Sequence, residues 1–152
     1  MNNKHIKIAI DILMVIFIGL SFVRWEVSNF AFHAIVGSAC ALFFVAHVFV
    51  HRKWIRAATK SLFAGNLNKS LRGKYAVDML LLAVWGVCIF TGFVAIAPLF
   101  SEVPWAFAWG RLHGVTARIG LALVIVHAIQ HIPQIISYFG IKKRAFGVEA
   151  GL

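Results

Sequence analysis

His33-AIVGSACALFFVA-His47-VFV-His51 decides how this chain is read, because it returns as His113-GVTARIGLALVIV-His127-AIQ-His131. Three histidines recur at one constant offset of 80 residues, and within each copy the spacing is fourteen residues and then four. Both runs are otherwise almost wholly apolar. Each histidine is therefore expected inside a membrane-spanning helix, where ionisable groups are costly and usually functional. On a helix, fourteen residues rise ~21 Å and fall ~40° short of whole turns. His33 and His47 then share one face near opposite sides of a ~30 Å hydrocarbon core, as do His113 and His127.

A single histidine in such a run is ordinarily a hydrogen-bonding residue at a helix contact. Six of the seven histidines falling into three matched pairs argue for ligation instead. A gene duplication alone gives no reason to keep six polar residues against the cost of burying them in lipid. Two helices offering inward imidazoles at matched depths predict two stacked bis-histidine sites, the arrangement of a dihaem b-type cytochrome. By depth, His33 pairs with His113 and His47 with His127. Two axial imidazoles make a low-spin haem suited to electron transfer.

The chain has 152 residues, is 61% hydrophobic and has a mean hydropathy of +0.86, so a single membrane-embedded domain is expected. Four apolar runs are long enough to span a bilayer, near residues 8–27, 30–50, 75–99 and 112–139. The first carries Asp11 and lacks a small-residue cleavage site, so it is not read as a signal peptide. The predicted fold class is an all-α membrane protein. It is a four-transmembrane-helix bundle of two tandem helix pairs, with haem between the second and fourth helices.

The formal charge of +10 invites a nucleic-acid reading that its distribution refuses. Lys4 and Lys7 precede the first run, seven cations fill Arg52–Lys74, and Lys142, Lys143 and Arg144 follow the fourth. Twelve of the fifteen basic residues thus fall on one side, and the positive-inside rule places both termini and the long loop in the cytoplasm. A bacterial inner membrane is the expected location, with attraction to anionic lipid there. Arg24, Arg111 and Arg118 lie towards the other side, where guanidinium groups are expected to pair with haem propionates.

The first and third runs repeat a second pattern: Ala9-Ile-Asp11 with Gly19, then Ala76-Val-Asp78 with Gly86. Each pair is read as a scaffold helix followed by a histidine helix. The aspartates are placed in first helical turns, opposing the helix dipole. The glycines, with Gly37, Ala117 and Gly120, admit a neighbouring helix or a porphyrin face. Trp54–Phe63, within the Arg52–Lys74 loop, is expected as a short amphipathic interfacial helix before a Gly65-Asn66 turn, Pro98–Arg111 as an aromatic outer loop, and Pro133 as a break or kink ending the fourth run. Cys40 and Cys88 fall mid-run as small packing residues. No Cys-x-x-Cys-His occurs, so covalent haem attachment through that motif is excluded.

His51 and His131 lie one turn, ~6 Å, beyond His47 and His127. A porphyrin is too wide for separate haems at both levels. The deeper pair is assigned to the iron, and His51 and His131 are expected to reach propionates or a quinone head. A second class of reading is a membrane transporter or metal-binding protein using the same histidines. Carboxylates at histidine depth would favour it, and none is expected there. A haem-free assembly subunit is a third.

Paired histidines in four spans, an aspartate in the first, and His-x13-His-x3-His resemble the flavinylation-associated cytochromes. These are small bacterial membrane cytochromes b, loosely similar to the cytochrome b subunits of formate dehydrogenases and hydrogenases. The resemblance covers essentially the whole chain. It implies two haems b on His33, His47, His113 and His127. It also implies electron exchange between a quinone/quinol pool and a redox partner on a separate, flavin- or metal-containing polypeptide.

Overall fold

An apolar run stays helical until something stops it, and in this chain the stops are few. The computed structural model describes residues 3–23, 30–66, 68–96 and 106–138. These form four helices: α1 (Asn3–Ser21), α2 (Phe30–Phe63), α3 (Lys69–Ile96) and α4 (Ala106–Tyr138). Strands are absent among the described residues. The all-α bundle of four helices is as the sequence predicts.

Three of the helices, α2, α3 and α4, are long and apolar enough to cross a membrane. α1 is 19 residues long but includes Lys4, Lys7 and Asp11, leaving a shorter uncharged run. The outward side chains suit lipid. Along α2, Ile35, Leu42 and Phe49 recur every seven residues as one stripe and are 60–73% exposed. Such a surface is stable only in an apolar solvent. Serine and threonine hydroxyls satisfy themselves by donating back along their own helix, as Ser38 does to the Ala34 carbonyl at 2.8 Å and Thr91 to Val87 at 2.8 Å.

Helix ends depart from the expected spans in informative ways. α2 does not stop at the polar boundary near residue 50. It continues unbroken to Phe63, so the expected interfacial helix over Trp54–Phe63 is the last part of α2. At 34 residues it is ~51 Å long, well beyond a ~30 Å hydrocarbon core. The expected turn does end it. Gly65 adopts φ 74°, its N–H bonds the Leu62 carbonyl, and the Asn66 N–H reaches back to Ser61 at 3.0 Å. That is a Schellman cap, whose left-handed position suits glycine. α3 starts at Lys69, six residues before the expected span, because Asn68 caps it through Oδ1 to the Leu71 N–H at 2.8 Å. α4 likewise starts within the expected outer loop, making Phe107 and Trp109 helical. Pro133 does not end α4. The helix continues five residues past it to Tyr138, giving up only the bond to the Ile129 carbonyl.

α1 packs along α2, α3 packs closely along α4, and the two hairpins meet chiefly through α2 against α3. The core lies midway along the bundle, where Ile18, Cys40 and Trp85 are buried and Phe17, Phe44, Leu81, Leu121 and Val124 pack around them. At Gly120, α4 comes close to this core: a Cβ there would stand 3.2 Å from Trp85 Nε1. Gly19, Gly37 and Gly86 instead face open space, with no heavy atom within 4 Å of a Cβ position.

Candidate haem or metal centre

The matched histidines of α2 and α4 meet in the order that depth predicts. His33 and His113 have ring centroids 5.9 Å apart with planes at 76°, and His47 and His127 lie 6.4 Å apart at 78°. A metal–imidazole bond is about 2 Å and each ring centre lies roughly 1 Å behind its nitrogen, so two imidazoles sharing one metal atom have centres about 6 Å apart. Both pairs match that span.

Hydrogen bonds then select which ring nitrogen faces inward. His47 Nδ1–H donates to Asp11 Oδ1 at 2.7 Å, and His127 Nδ1–H donates to Asp78 Oδ1 at 2.6 Å. His113 Nδ1–H donates to the Cys88 carbonyl at 2.9 Å. Carbonyl and carboxylate oxygens accept, so Nδ1 carries the hydrogen and Nε2 keeps its lone pair. A partner of this kind is what metal-bound histidines ordinarily have, since it fixes ring orientation and raises basicity. Among the described residues, no hydrogen bond holds His33.

The aspartates correct the sequence reading. Neither helix has an acidic residue in its first turn. Asp11 lies eight residues into α1 and Asp78 nine into α3, level with the histidines. Carboxylates at histidine depth, expected to be absent, are therefore present in both halves. Around them gather Asp11, His47 and His51, and in the second half Asp78, His127 and His131, with ligand atoms within 4.8 Å in each group. His51 Nε2 stands 3.4 Å from Asp11 Oδ1, and His131 Nε2 3.6 Å from Asp78 Oδ2. The two rings lie tilted against their inner neighbours, with centroids 4.6 Å apart. His51 and His131 thus back the aspartates.

The two halves differ beyond this point. Trp54 of α2 meets His131 edge-on at 6.4 Å and lies 6.5 Å from Tyr75, whose hydroxyl bonds Thr59 at 2.9 Å. At the opposite end, Gly92 is the feature that sequence patterning missed. A Cβ there would lie 3.0 Å from both Nδ1 and Cε1 of His113. Glycine there lets the ring lie against α3 without either side giving way. Its signal was Thr91-Gly92 one turn beyond Cys88, but nothing local says that a ring from α4 fills the gap. Cys88 is buried, and its Sγ lies 3.6 Å from His113 Nδ1.

The arginines are not drawn in. Arg118 is exposed on α4, ~140° round the helix from His113, and it makes no hydrogen bond or ion pair to the described residues. Arg111 is exposed and lies over Phe107 at 5.9 Å. Arg24 falls outside the described residues.

The donor set fits a haem at both levels: paired imidazoles at one-metal spacing, with the Nδ1 protons of His47, His127 and His113 placed on acceptors. His33 and His113 would hold one, His47 and His127 the other. The Asp-His-His groups also offer oxygen and nitrogen ligands to a divalent ion. No protein-family model, curated protein or solved structure matches the chain.

Proposed function

We propose that this chain is a dihaem b-type membrane cytochrome carrying electrons across a bilayer between a quinone/quinol pool and a separate redox subunit. The observation that carries the reading is the opposed imidazole pair, repeated at two depths with one-metal spacing. A haem held by two imidazoles supplies one-electron transfer at low-spin iron with no open coordination position. The chain's own part is to orient and insulate. Asp11, Asp78 and the Cys88 carbonyl hold the ligand rings by Nδ1, while α1 and α3 brace the histidine helices. Apolar burial at midplane, around Cys40, Trp85 and Phe44, keeps water from between the two sites. In this reading the protein lies in a bacterial inner membrane, α1 is the fourth span, and the termini and basic α2–α3 connection face the cytoplasm.

A reduced-minus-oxidised spectrum with a pyridine haemochrome assay on the purified protein tests it. Two haems b per chain are expected, and an absence of haem after expression with ample haem supply refutes the reading.

One observation favours a second reading. The Asp-His-His groups have the donor chemistry of transition-metal sites, as in a metal transporter. That reading leaves the His33–His113 pair, which has no carboxylate among the described residues, without a purpose. Stoichiometric zinc, copper or manganese in haem-free protein would favour it.

A further inference from the structure

We infer that the two histidine sites are held at different potentials, with the site at the basic end the lower, so that electrons run from the basic end to the opposite end. The inference rests on the haem reading above and goes beyond it by assigning a direction.

The asymmetry lies in what the ligand rings lean on. At the basic end both axial imidazoles donate Nδ1–H to carboxylates, at 2.7 and 2.6 Å. At the opposite end His113 donates to a neutral backbone carbonyl at 2.9 Å. Asp11 and Asp78 are the only acidic residues among the described ones. A carboxylate partner raises the basicity of the ligand nitrogen, which stabilises the oxidised metal over the reduced. The anionic charge itself acts in the same direction. Both effects are doubled at the basic end, because the repeat supplies an aspartate to each axial ring.

Lys7 and Lys74 each lie one turn before an aspartate, on α1 and α3, but among the described residues neither makes an ion pair with it. His51 and His131 approach the same carboxylates at 3.4 and 3.6 Å, longer than a direct hydrogen bond. Arg52, on the turn next to His51, donates to the Phe49 carbonyl at 2.7 Å and stacks over the Phe49 ring at 3.8 Å. Arg56 and Lys60 lie further along α2 and are exposed, where salt screens them. The carboxylates sit between helices, with Asp78 only 11% exposed, and are screened less.

Each passage moves one electron and forms no bond. A donor at the basic end is oxidised by one electron, an acceptor at the opposite end is reduced by one, and the chain returns to its starting state. A two-electron donor such as a quinol makes two passages and releases its two protons to water at the basic end.

The test is a potentiometric titration of the purified holoprotein, followed optically and by electron paramagnetic resonance. His113→Ala, and independently His33→Ala, removes the low-spin centre at the opposite end and so assigns the potentials. The centre that survives should be the lower of the two wild-type couples, by at least tenfold in the equilibrium between sites, about 59 mV for one electron. Asp11→Asn and Asp78→Asn should each raise that lower couple and leave the upper one in place. The inference is overturned if the lower couple is the one lost in His113→Ala or His33→Ala. It is equally overturned if the asparagine variants keep both low-spin signals and both potentials. Should the asparagine variants fail to take up haem, the order of the couples in the alanine variants decides alone. Haem-free wild-type protein would refute the cytochrome reading itself, whereas two haems in reversed order would refute only the direction.

Discussion

Gly92→Ala is the sharpest perturbation the structure offers, because it adds one methyl group against a proposed ligand ring. The new Cβ would stand 3.0 Å from His113 Nδ1 and Cε1, where ordinary contact begins at 3.4 Å, so one side must give by at least 0.4 Å (3.4 less 3.0). Two things can move. If α3 and α4 separate, their close packing loosens along the contact, and over-packing of this kind costs about 1–3 kcal/mol. If the ring swings away, it leaves the Cys88 carbonyl, forfeiting a bond worth about 1 kcal/mol, and its spacing to the His33 ring changes. A shift of that size takes up nearly all of the roughly 0.5 Å that built sites tolerate, before the ring's lost hydrogen bond lets it turn further. The ring is the cheaper to move. The variant should therefore lose the low-spin signal of the opposite-end site, or convert it to high spin, while the basic-end site is unchanged. Electron paramagnetic resonance and haemochrome stoichiometry on the same sample read this. A Gly92→Ala protein with both low-spin centres and unaltered g values would refute the placement of His113 as an axial ligand against α3.

The remaining predictions separate ligation from packing. His47→Ala should abolish the basic-end low-spin centre, because water in its place gives a high-spin site, whereas His51→Ala should keep both centres and shift only one potential; the reverse result would move the ligand set one turn along α2 and α4. Gly120→Ala, which presses on Trp85 rather than on a histidine, should lower thermal stability by about 1–3 kcal/mol with both haem spectra retained. Asn68→Ala should remove the cap of α3 at about 1 kcal/mol, measured as a lower unfolding midpoint in detergent. Tyr75→Phe breaks the link to Thr59 across the α2–α3 connection and should cost about 1 kcal/mol in the same assay, without change in haem content.

Much of this protein is legible in its sequence alone, and for a local reason. Whether a residue lies in a helix, and on which face, follows from spacing along one chain. The 80-residue repeat of His33, His47 and His51 therefore led directly to the pairs His33–His113 and His47–His127, and the Gly65-Asn66 turn was readable from its residue types. Hydropathy was a poorer guide to helix ends. It reports where lipid ends, whereas a helix ends at a cap or a breaker, so α2 ran on to Phe63, just before the Gly65 cap, and α3 began at Lys69, just after Asn68. What only the tertiary structure decided were the relations between helices. Asp11 and Asp78 look like dipole partners when each helix is read alone. They meet His47 and His127 because antiparallel packing sets their depth, and that register depends on how a whole hairpin closes. Gly92 was silent for the same reason, its purpose lying in a ring 21 residues away on another helix. Arg118 was misplaced by its depth, since depth alone does not say which way a side chain points. Sequence determines what each helix carries; only the packing of one helix on another determines which of those groups share a site.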